Sequence, residues 1–456
     1  MKSSIFRKYD IRGIFPDDLD RSTIVRLGRA LGSIAQKRIA VGRDCRKSGS
    51  MLMEWLADGI HSAGCDVIDL GVQTTPMTYF AAYTLNPDVT VMITGSHNPP
   101  EYNGFKILFG HDTIYGDSIQ NLARQMENVP DSVDVSQDSS TRKVSVRKPY
   151  LQRLLGEFSL DRSLKVVVDA GNGTGGDTAV EILRNLGCRV IPLYCDMNGD
   201  FPNHHPDPTV EENLSDLRET VIRERADIGF AFDGDADRLG VIDDRGDVIR
   251  GDMILIILAR ALLRHNPGAT VISEVKASRL FFSEIEKAGG KAVMSPTGHS
   301  IIKKEMIEKN ALLAGEMSGH IFFRDRYYGY DDALYAALRL IEIIASGSTP
   351  LHSHLQDLPE VFSTPEIRED CDDNRKFALV RKVTELLLRE NFTVNTTDGA
   401  RITFPDGWGL VRASNTQPVL VMRFEAGTQK RLQDYEHTTR NFIRKARREI
   451  DAQRTG

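Results

Sequence analysis

The chain has 456 residues, 41% of them hydrophobic and 27% charged, with a formal net charge of -6. That length exceeds one ordinary hydrophobic core and implies three or four domains, while the acidic balance argues against a nucleic-acid binder, which would carry a basic face. No apolar run approaches the ~20 residues of a membrane span, and the opening MKSSIFRKYDIRG lacks the apolar core of a signal peptide, so a mature cytoplasmic protein with no membrane partner is expected.

The elements, taken in chain order, form a repeat. RIAVGRD reads as a strand, MLMEWLADGIHS as an amphipathic helix and CDVIDLG as a second strand; VTVMITGSHNP follows as a third strand with a polar loop behind it. SVDVSQDSSTRKVSVRK is polar and Ser-rich and reads as a surface connection without site chemistry. LKVVVDAGNGTGGDTAVEILRNLGCRVIPLY then repeats the strand, loop, helix and strand, followed by ADIGFAFDGDADR. DDRGDVIRGD (Asp243–Asp252) reads as a turn into a third copy, ATVISEVKASRLFFSEIEKAGGKAVMSPTG, followed by ALLAGEMSGH. Glycine recurs at the helix ends SAGCDV, NLGCRV and KAGGKAV, where helices commonly close on a left-handed residue. Chance likeness of βα patterns is the alternative, but three loops so unlike one another, each rich in reactive side chains, favour true repetition.

After STPLHSHLQDLPE the pattern changes. The helical segments FALVRKVTELLLREN and RLQDYEHTTRNFIRKARREI surround the short strands GARITF, GWGLVRAS and PVLVMRFEA. The expected fold class is α/β, with three related α/β domains of mixed sheet and a C-terminal α+β domain. Boundaries are placed at 1–146, 147–247, 248–359 and 360–456. Cys45, Cys65, Cys188, Cys195 and Cys371 are scattered, without a CxxC pair, which excludes a disulfide framework or a cysteine-based zinc cluster.

Four loops carry chemistry. In TGSHNPPEYNGFK (Thr94–Lys106), Gly95 permits a tight turn and two prolines bar a helix, so Ser96 projects from a strand end as a nucleophile or phosphoryl carrier. Glycine–serine turns are common, yet His97 and Lys106 supply a proton carrier and a cation nearby. No GxSxG elbow surrounds the serine, which disfavours an α/β-hydrolase. In Asp233-Gly-Asp235-Ala-Asp237-Arg238, alternate carboxylates on an extended loop point to one side; they suit Mg²⁺, and Arg238 suits a phosphate. A solvated acidic turn is the alternative, disfavoured by the buried strand ahead of it. In GEMSGH, Glu316 and Ser318 have the spacing to read vicinal sugar hydroxyls, and His320 has a pKa suited to acid–base work. In RASNTQP, Arg412, Ser414, Asn415 and Thr416 form a candidate anion cradle between two strands, with an ordinary turn as the alternative.

Smaller signals read as structural. GNGTGG (Gly171–Gly176) lacks both GxGxxG and the Walker lysine, and PNHHPDPT (Pro202–Thr209) reads as a rigid loop. Lys276 and His299 end the first two strands of the third unit and either face the cleft or serve the fold. Because the whole molecule is acidic, an anionic substrate requires a locally positive cleft.

Together, from FRKYDIRG near the start to RASNTQP near the end, these segments resemble the α-D-phosphohexomutase superfamily, specifically its phosphomannomutase/phosphoglucomutase branch, with the four loops in that family's order. The resemblance implies four domains around a central cleft and reversible conversion of hexose 1-phosphate (mannose or glucose) into hexose 6-phosphate. It implies Ser96 as the phosphoryl carrier and Asp233, Asp235 and Asp237 as ligands of Mg²⁺, with a phosphoserine oxygen of Ser96 as a further ligand. Tyr9, Arg12, Lys106, Arg238, Lys276 and His299 match family cleft positions, Glu316 and Ser318 the sugar-hydroxyl readers, and His320 an acid–base candidate. Arg412, Ser414, Asn415 and Thr416 match the clamp on the non-reacting phosphate. Hexose 1,6-bisphosphate is the implied intermediate and activator, small phosphosugars are the implied partners, and a monomer or weak homodimer is expected. An amino-sugar mutase, a metal-dependent phosphatase and a non-catalytic phosphosugar-binding scaffold are the competing readings.

Overall fold

The computed structural model describes residues 2–128, 139–415 and 417–455, which build four sheets. In the first, Arg38–Arg43 lies parallel to Asp66–Val72 on one side and Val89–Ile93 on the other; Tyr102–Phe109 then adds antiparallel to Val89–Ile93. The second repeats this order. Lys165–Asp169 sits between Arg189–Leu193 and Ile228–Phe232, and Leu239–Asp243 turns back on the latter. So does the third, with Thr270–Glu274 between Lys291–Ser295 and Ala311–Gly315, and Ile321–Phe323 turning back. The connection from the third strand to the antiparallel fourth is therefore an equivalent position in all three units. It carries TGSHNPP in the first, DGDADR in the second and EMSGH in the third.

The central strands are Val-, Ile- and Phe-rich because helices cover both faces, as parallel sheet requires; every residue of Val89–Ile93 and Ile228–Phe232 is buried. The helix-end glycines Gly64, Gly187 and Gly289 have φ of 81°, 86° and 78°, a conformation that glycine adopts without a Cβ penalty. Within the Ser-rich connection, residues 132–138 lie outside the described residues, but Thr141–Lys143 forms an edge strand parallel to Asp66–Val72. An exposed strand of polar residues gives no apolar alternation, which is why its sequence suggests only a loop.

The fourth sheet is antiparallel around Val419–Ala426 and Gly407–Ala413. The helices Asp373–Arg389 and Gln429–Thr455 pack on it. Leu379, Val383, Leu387, Met422 and Phe424 form a core separate from the one that runs continuously through the first three units. A small cluster of Val275, Trp408 and Leu410 bridges the third and fourth sheets. No helix among the described residues is long and apolar enough to cross a membrane.

Candidate active site

Ser96 has φ of 51° and is 1% exposed. The left-handed residue is thus the serine itself, not Gly95, as the sequence suggests; a Cβ on Gly95 would lie 2.5 Å from the Arg46 guanidinium, so its glycine serves close approach. Ser96 N donates to Thr94 Oγ1 at 2.8 Å, and Ser96 Oγ donates to Asp233 Oδ2 at 2.8 Å. The equivalent loops of the first two units therefore meet at the serine hydroxyl.

The acidic loop is a tight turn rather than extended chain. Ala236 has φ of 61°, its N–H donates to Asp233 O at 3.1 Å, and Asp237 N and Arg238 N donate to Asp233 Oδ1 at 3.0 and 3.1 Å. The turn brings the carboxylate oxygens of Asp233, Asp235 and Asp237 within 4.8 Å of one another, all fully buried. Lys106 Nζ donates to Asp235 Oδ2 at 2.6 Å and to Asp237 Oδ2, and Thr75 Oγ1 donates to Asp235 Oδ2 at 2.5 Å. Burial and the two neighbouring carboxylates hold Asp233 well above the usual carboxylate range. Burial also pushes Asp235 up, but Lys106 and Thr75 outweigh it and hold it below that range. Asp235 Oδ1 and Asp237 Oδ1 are buried without a hydrogen-bond partner. Unpartnered buried carboxylate oxygens suit a hard cation, so the residues present fit Mg²⁺.

Histidines of these loops, with Asp207, Asp331 and His299 from outside the four, complete this end of the cleft. His97 Nδ1 lies 2.7 Å from Asp207 Oδ2 and 3.2 Å from Arg238 Nη1; burial and Arg238 push its pKa down to about 4. Asp207 belongs to PNHHPDPT, so that rigid loop also serves the site, while His204 holds Asp169 at 3.1 Å. His320 Nε2 accepts from Arg238 Nε at 3.1 Å, and its Nδ1 lies 3.1 Å from Asp331 Oδ2. An arginine only donates, so Nε2 keeps its lone pair and Nδ1 carries the proton. His299 stacks on His320 with ring centroids 5.1 Å apart and starts the helix His299–Glu308, rather than ending a strand.

At the other end, Arg412 Nε donates to Asp398 Oδ2 at 2.9 Å, and Asp398 also accepts from Thr297 N. Tyr9 OH donates to Thr297 O at 2.7 Å and accepts from Asn415 Nδ2 at 2.9 Å. Ser414 Oγ accepts from Gln417 N; Thr416 lies outside the described residues. Glu316 Oε1 accepts from Gly298 N at 2.7 Å, and burial beside Glu274 raises its pKa. Ser318 is half-buried without a hydrogen-bond partner among the described residues. Lys276 Nζ, two residues beyond its strand, donates to Glu366 Oε2 at 3.1 Å. Arg12, paired with Asp10, donates to Asn98 Oδ1 at 3.0 Å, so Tyr9 and Arg12 tie the Asn415 loop to the Ser96 loop.

The cleft is not simply positive. Arg12, Lys106, Lys276 and Arg412 each sit against a carboxylate of Asp10, Asp235 and Asp237, Glu366, or Asp398. A buried cation without a partner is too costly. Of these counter-ions Asp10, Glu366 and Asp398, with Asp207 and Asp331, are the residues that motif reading misses; they stand in no pattern, and only the fold brings them to the site. GNGTGG braces the acidic turn, Thr174 N and Oγ1 both donating to Gly234 O.

Known proteins match this chain from end to end. Models of the phosphoglucomutase/phosphomannomutase alpha/beta/alpha domains I, II and III match residues 3–131, 148–246 and 250–362, and that of the C-terminal domain matches 366–442. A phosphomannomutase/phosphoglucomutase of Pseudomonas aeruginosa is 44% identical over 448 residues, covering 97% of this chain and 96% of its own. A phosphoglucomutase of Neisseria gonorrhoeae is 45% identical over 447 residues, 96% of each chain. The crystal structure of a phosphoglucomutase/phosphomannomutase family protein from Burkholderia thailandensis superposes with a TM-score of 0.90 at 41% identity, covering 98% of both chains. With the family's four domains matched in order along its length, this chain belongs to the phosphoglucomutase/phosphomannomutase family of isomerases.

Proposed function

We propose that the enzyme interconverts hexose 1-phosphates and hexose 6-phosphates, with mannose and glucose as the sugars, through a phosphorylated Ser96 and a hexose 1,6-bisphosphate. The observation that carries this reading is the meeting of Ser96 Oγ with Asp233 at 2.8 Å, in a buried turn beside two further carboxylates and Lys106. A hydrolase would need a water positioned at this serine; a mutase needs the phosphoryl group kept from water and returned.

In the forward direction the substrate phosphate takes the free N–H groups of Arg412 and the donors of Ser414 and Asn415. Glu316 and Ser318 face the sugar hydroxyls, and Lys276 lies beside them. The sugar O6 attacks the phosphorus of phospho-Ser96; the O6–P bond forms as the P–Oγ bond breaks, and the O6 proton passes to a base. His320 is our candidate for that base: Asp331 beside Nδ1 keeps the lone pair on Nε2, which takes the proton once Arg238 Nε turns from it to the transferring group. Lys106, Arg238 and Arg12 oppose the charge on the transferring group. Asp233, Asp235 and Asp237 would hold Mg²⁺, which supplies Lewis-acid stabilisation of that charge when bound. The bisphosphate then reorients within the cleft, the P–O1 bond breaks as the P–Oγ bond of Ser96 forms, the base returns its proton to O1, and hexose 6-phosphate leaves.

The test is intact-mass analysis of the purified enzyme with and without hexose 1-phosphate. One phosphoryl group, absent from Ser96→Ala and exchanged on adding substrate, is expected; a Ser96→Ala variant with wild-type turnover refutes the reading. The curated relatives bear both sugar names at about the same identity. Turnover of mannose, glucose and glucosamine 1-phosphates in parallel therefore settles the sugar.

A further inference from the structure

Arg46 lies between the strand Arg38–Arg43 and the helix Gly49–Ser62, in no motif that the sequence singles out. Its side chain is 0% exposed, and all five of its guanidinium N–H groups are donated. Nε donates to Asp44 Oδ2 at 3.1 Å, Nη1 to Pro99 O at 2.5 Å and Tyr102 O at 3.1 Å, and Nη2 to Ser96 O at 2.8 Å and Asn98 O at 2.6 Å. Four of the five acceptors are thus backbone carbonyls of the Ser96 turn and its exit.

The fork is itself held. Its face packs on the Phe201 ring, 5.0 Å from the centroid, and Asp44 accepts from Arg46 N, Thr94 Oγ1 and Gly95 N. A Cβ at Gly95 would meet the guanidinium at 2.5 Å, and one at Gly234 would meet Ser96 O at 2.5 Å, so both glycines exist to let these groups approach. Ser96 is therefore fixed on both sides, its N–H by Thr94 and its carbonyl by Arg46, in a left-handed conformation that an L-residue disfavours. Lysine has three pyramidal donors and cannot reproduce this planar five-donor geometry.

We propose that Arg46 is the positioning residue of the phosphoryl carrier. It holds the disfavoured Ser96 turn so that Oγ meets the acidic loop at one place in both phosphoryl transfers. The inference rests on Ser96 being that carrier. Arg46 is silent towards the sugar-phosphate clamp, because none of its partners lies on the Arg412, Glu316 or Lys276 loops.

The test is Arg46→Lys, measured beside wild type and Ser96→Ala for turnover, KM, melting temperature and bisphosphate released per turnover. A misplacement of about 1 Å at a reacting atom costs on the order of 100-fold. The expected result is a kcat lower by about that factor with KM within about threefold of wild type, one phosphoryl group still accepted, and more free bisphosphate per turnover. Turnover within about threefold of wild type in a folded Arg46→Lys, or a loss expressed in KM alone, overturns the inference. If Arg46→Lys does not fold, Thr94→Val decides: it removes the oxygen holding Ser96 N, and it must show the same fall in kcat with KM kept. If Ser96→Ala keeps wild-type turnover, the carrier reading and this inference fail together; if it is inactive and Arg46→Lys is not impaired, only this inference fails.

Discussion

Lys106→Met separates the structural from the chemical duties of the acidic site. The Lys106 side chain is 4% exposed, and Asp235 and Asp237 are fully buried against it. Without it, Arg238, whose Nε is 4.0 Å from Asp233 Oδ2, is the one lysine or arginine among the described residues left to pair with the three buried carboxylates. Removing one partner of a buried pair costs about 3–5 kcal/mol, and at about 1 °C per kcal/mol for a chain of this length the variant melts about 3–5 °C lower in chelator. The oxygens left without partners, Asp235 Oδ1 and Asp237 Oδ1, are not those that Lys106 engages, so a divalent ion held by them would not have to displace the ammonium. The ammonium still repels that ion: at about 5 Å and an effective dielectric of about 20 the term is several kcal/mol, so Mg²⁺ binds the variant at least about tenfold more tightly. Turnover nonetheless falls on the order of 100-fold, because a cation that opposes the transferring charge is gone. Thermal unfolding by circular dichroism across a Mg²⁺ titration, with turnover at saturating Mg²⁺, reads all three. An unchanged melting point in chelator, or weaker Mg²⁺ binding by the variant, refutes the reasoning.

Other outcomes follow from the same geometry. Tyr9→Phe removes the hydroxyl that joins Thr297 O to Asn415; losing such a bond costs about 1–2 kcal/mol, so kcat/KM falls about 5–30-fold, chiefly through KM in steady-state assays. Asp331→Asn weakens the hold on His320 Nδ1, and kcat is expected to fall at least about tenfold with KM within about threefold of wild type in steady-state assays. His299 has its pKa pushed down to about 4 by burial and Lys303, with Asp331 opposing. Its unfolded form takes a proton near pH 6.5, so stability is complete above that pH and is lost as pH falls towards 4. The loss amounts to roughly 3 kcal/mol, and a denaturant midpoint series should be flatter in His299→Gln. Chelation should abolish turnover and Mg²⁺ restore it, with circular dichroism unchanged throughout.

Residues whose chemistry is local were legible before any coordinates. Ser96, the three aspartates and Arg412 sit in short stretches whose composition announces them, behind strands whose apolar runs announce burial. The repeat was legible too, since glycine at three helix ends follows from a backbone requirement, not from the partners that each helix meets. What was not legible is pairing across the chain. Asp207 lies 110 residues from His97, Asp44 lies 51 residues from Gly95, and Glu366 lies 90 residues from Lys276. None stands in a pattern, because a counter-ion has to match a position rather than a motif. The Gly95–Ser96 pair misled for a related reason. A glycine beside a serine suggests a glycine turn, whereas the strain falls on the serine and the glycine makes room for a guanidinium that the local sequence does not contain.

Equivalent placement of the three loops explains why such different chemistry meets in one cleft: each unit delivers its third-strand loop to the same edge, and a shared core keeps the three edges in register. That core also limits motion. Met77, Tyr150, Phe232, Ile254 and Tyr330 belong to one continuous buried cluster spanning three units, so no unit can swing without exposing it. The fourth sheet has its own core and meets the third through Val275, Trp408 and Leu410. Around that small apolar contact the junction is polar: Arg401 Nη2 donates to Ala277 O, Arg279 N to Glu425, and Thr297 N to Asp398. Water can replace such bonds at a net cost of about 1 kcal/mol each, whereas opening the shared core has no such substitute. The bisphosphate of the proposed reaction, turning around while both ends stay near the enzyme, would need space made and then closed. On that reading the space is expected to open at the Arg412 side, where the Tyr9–Asn415 and Lys276–Glu366 contacts are the ones to break.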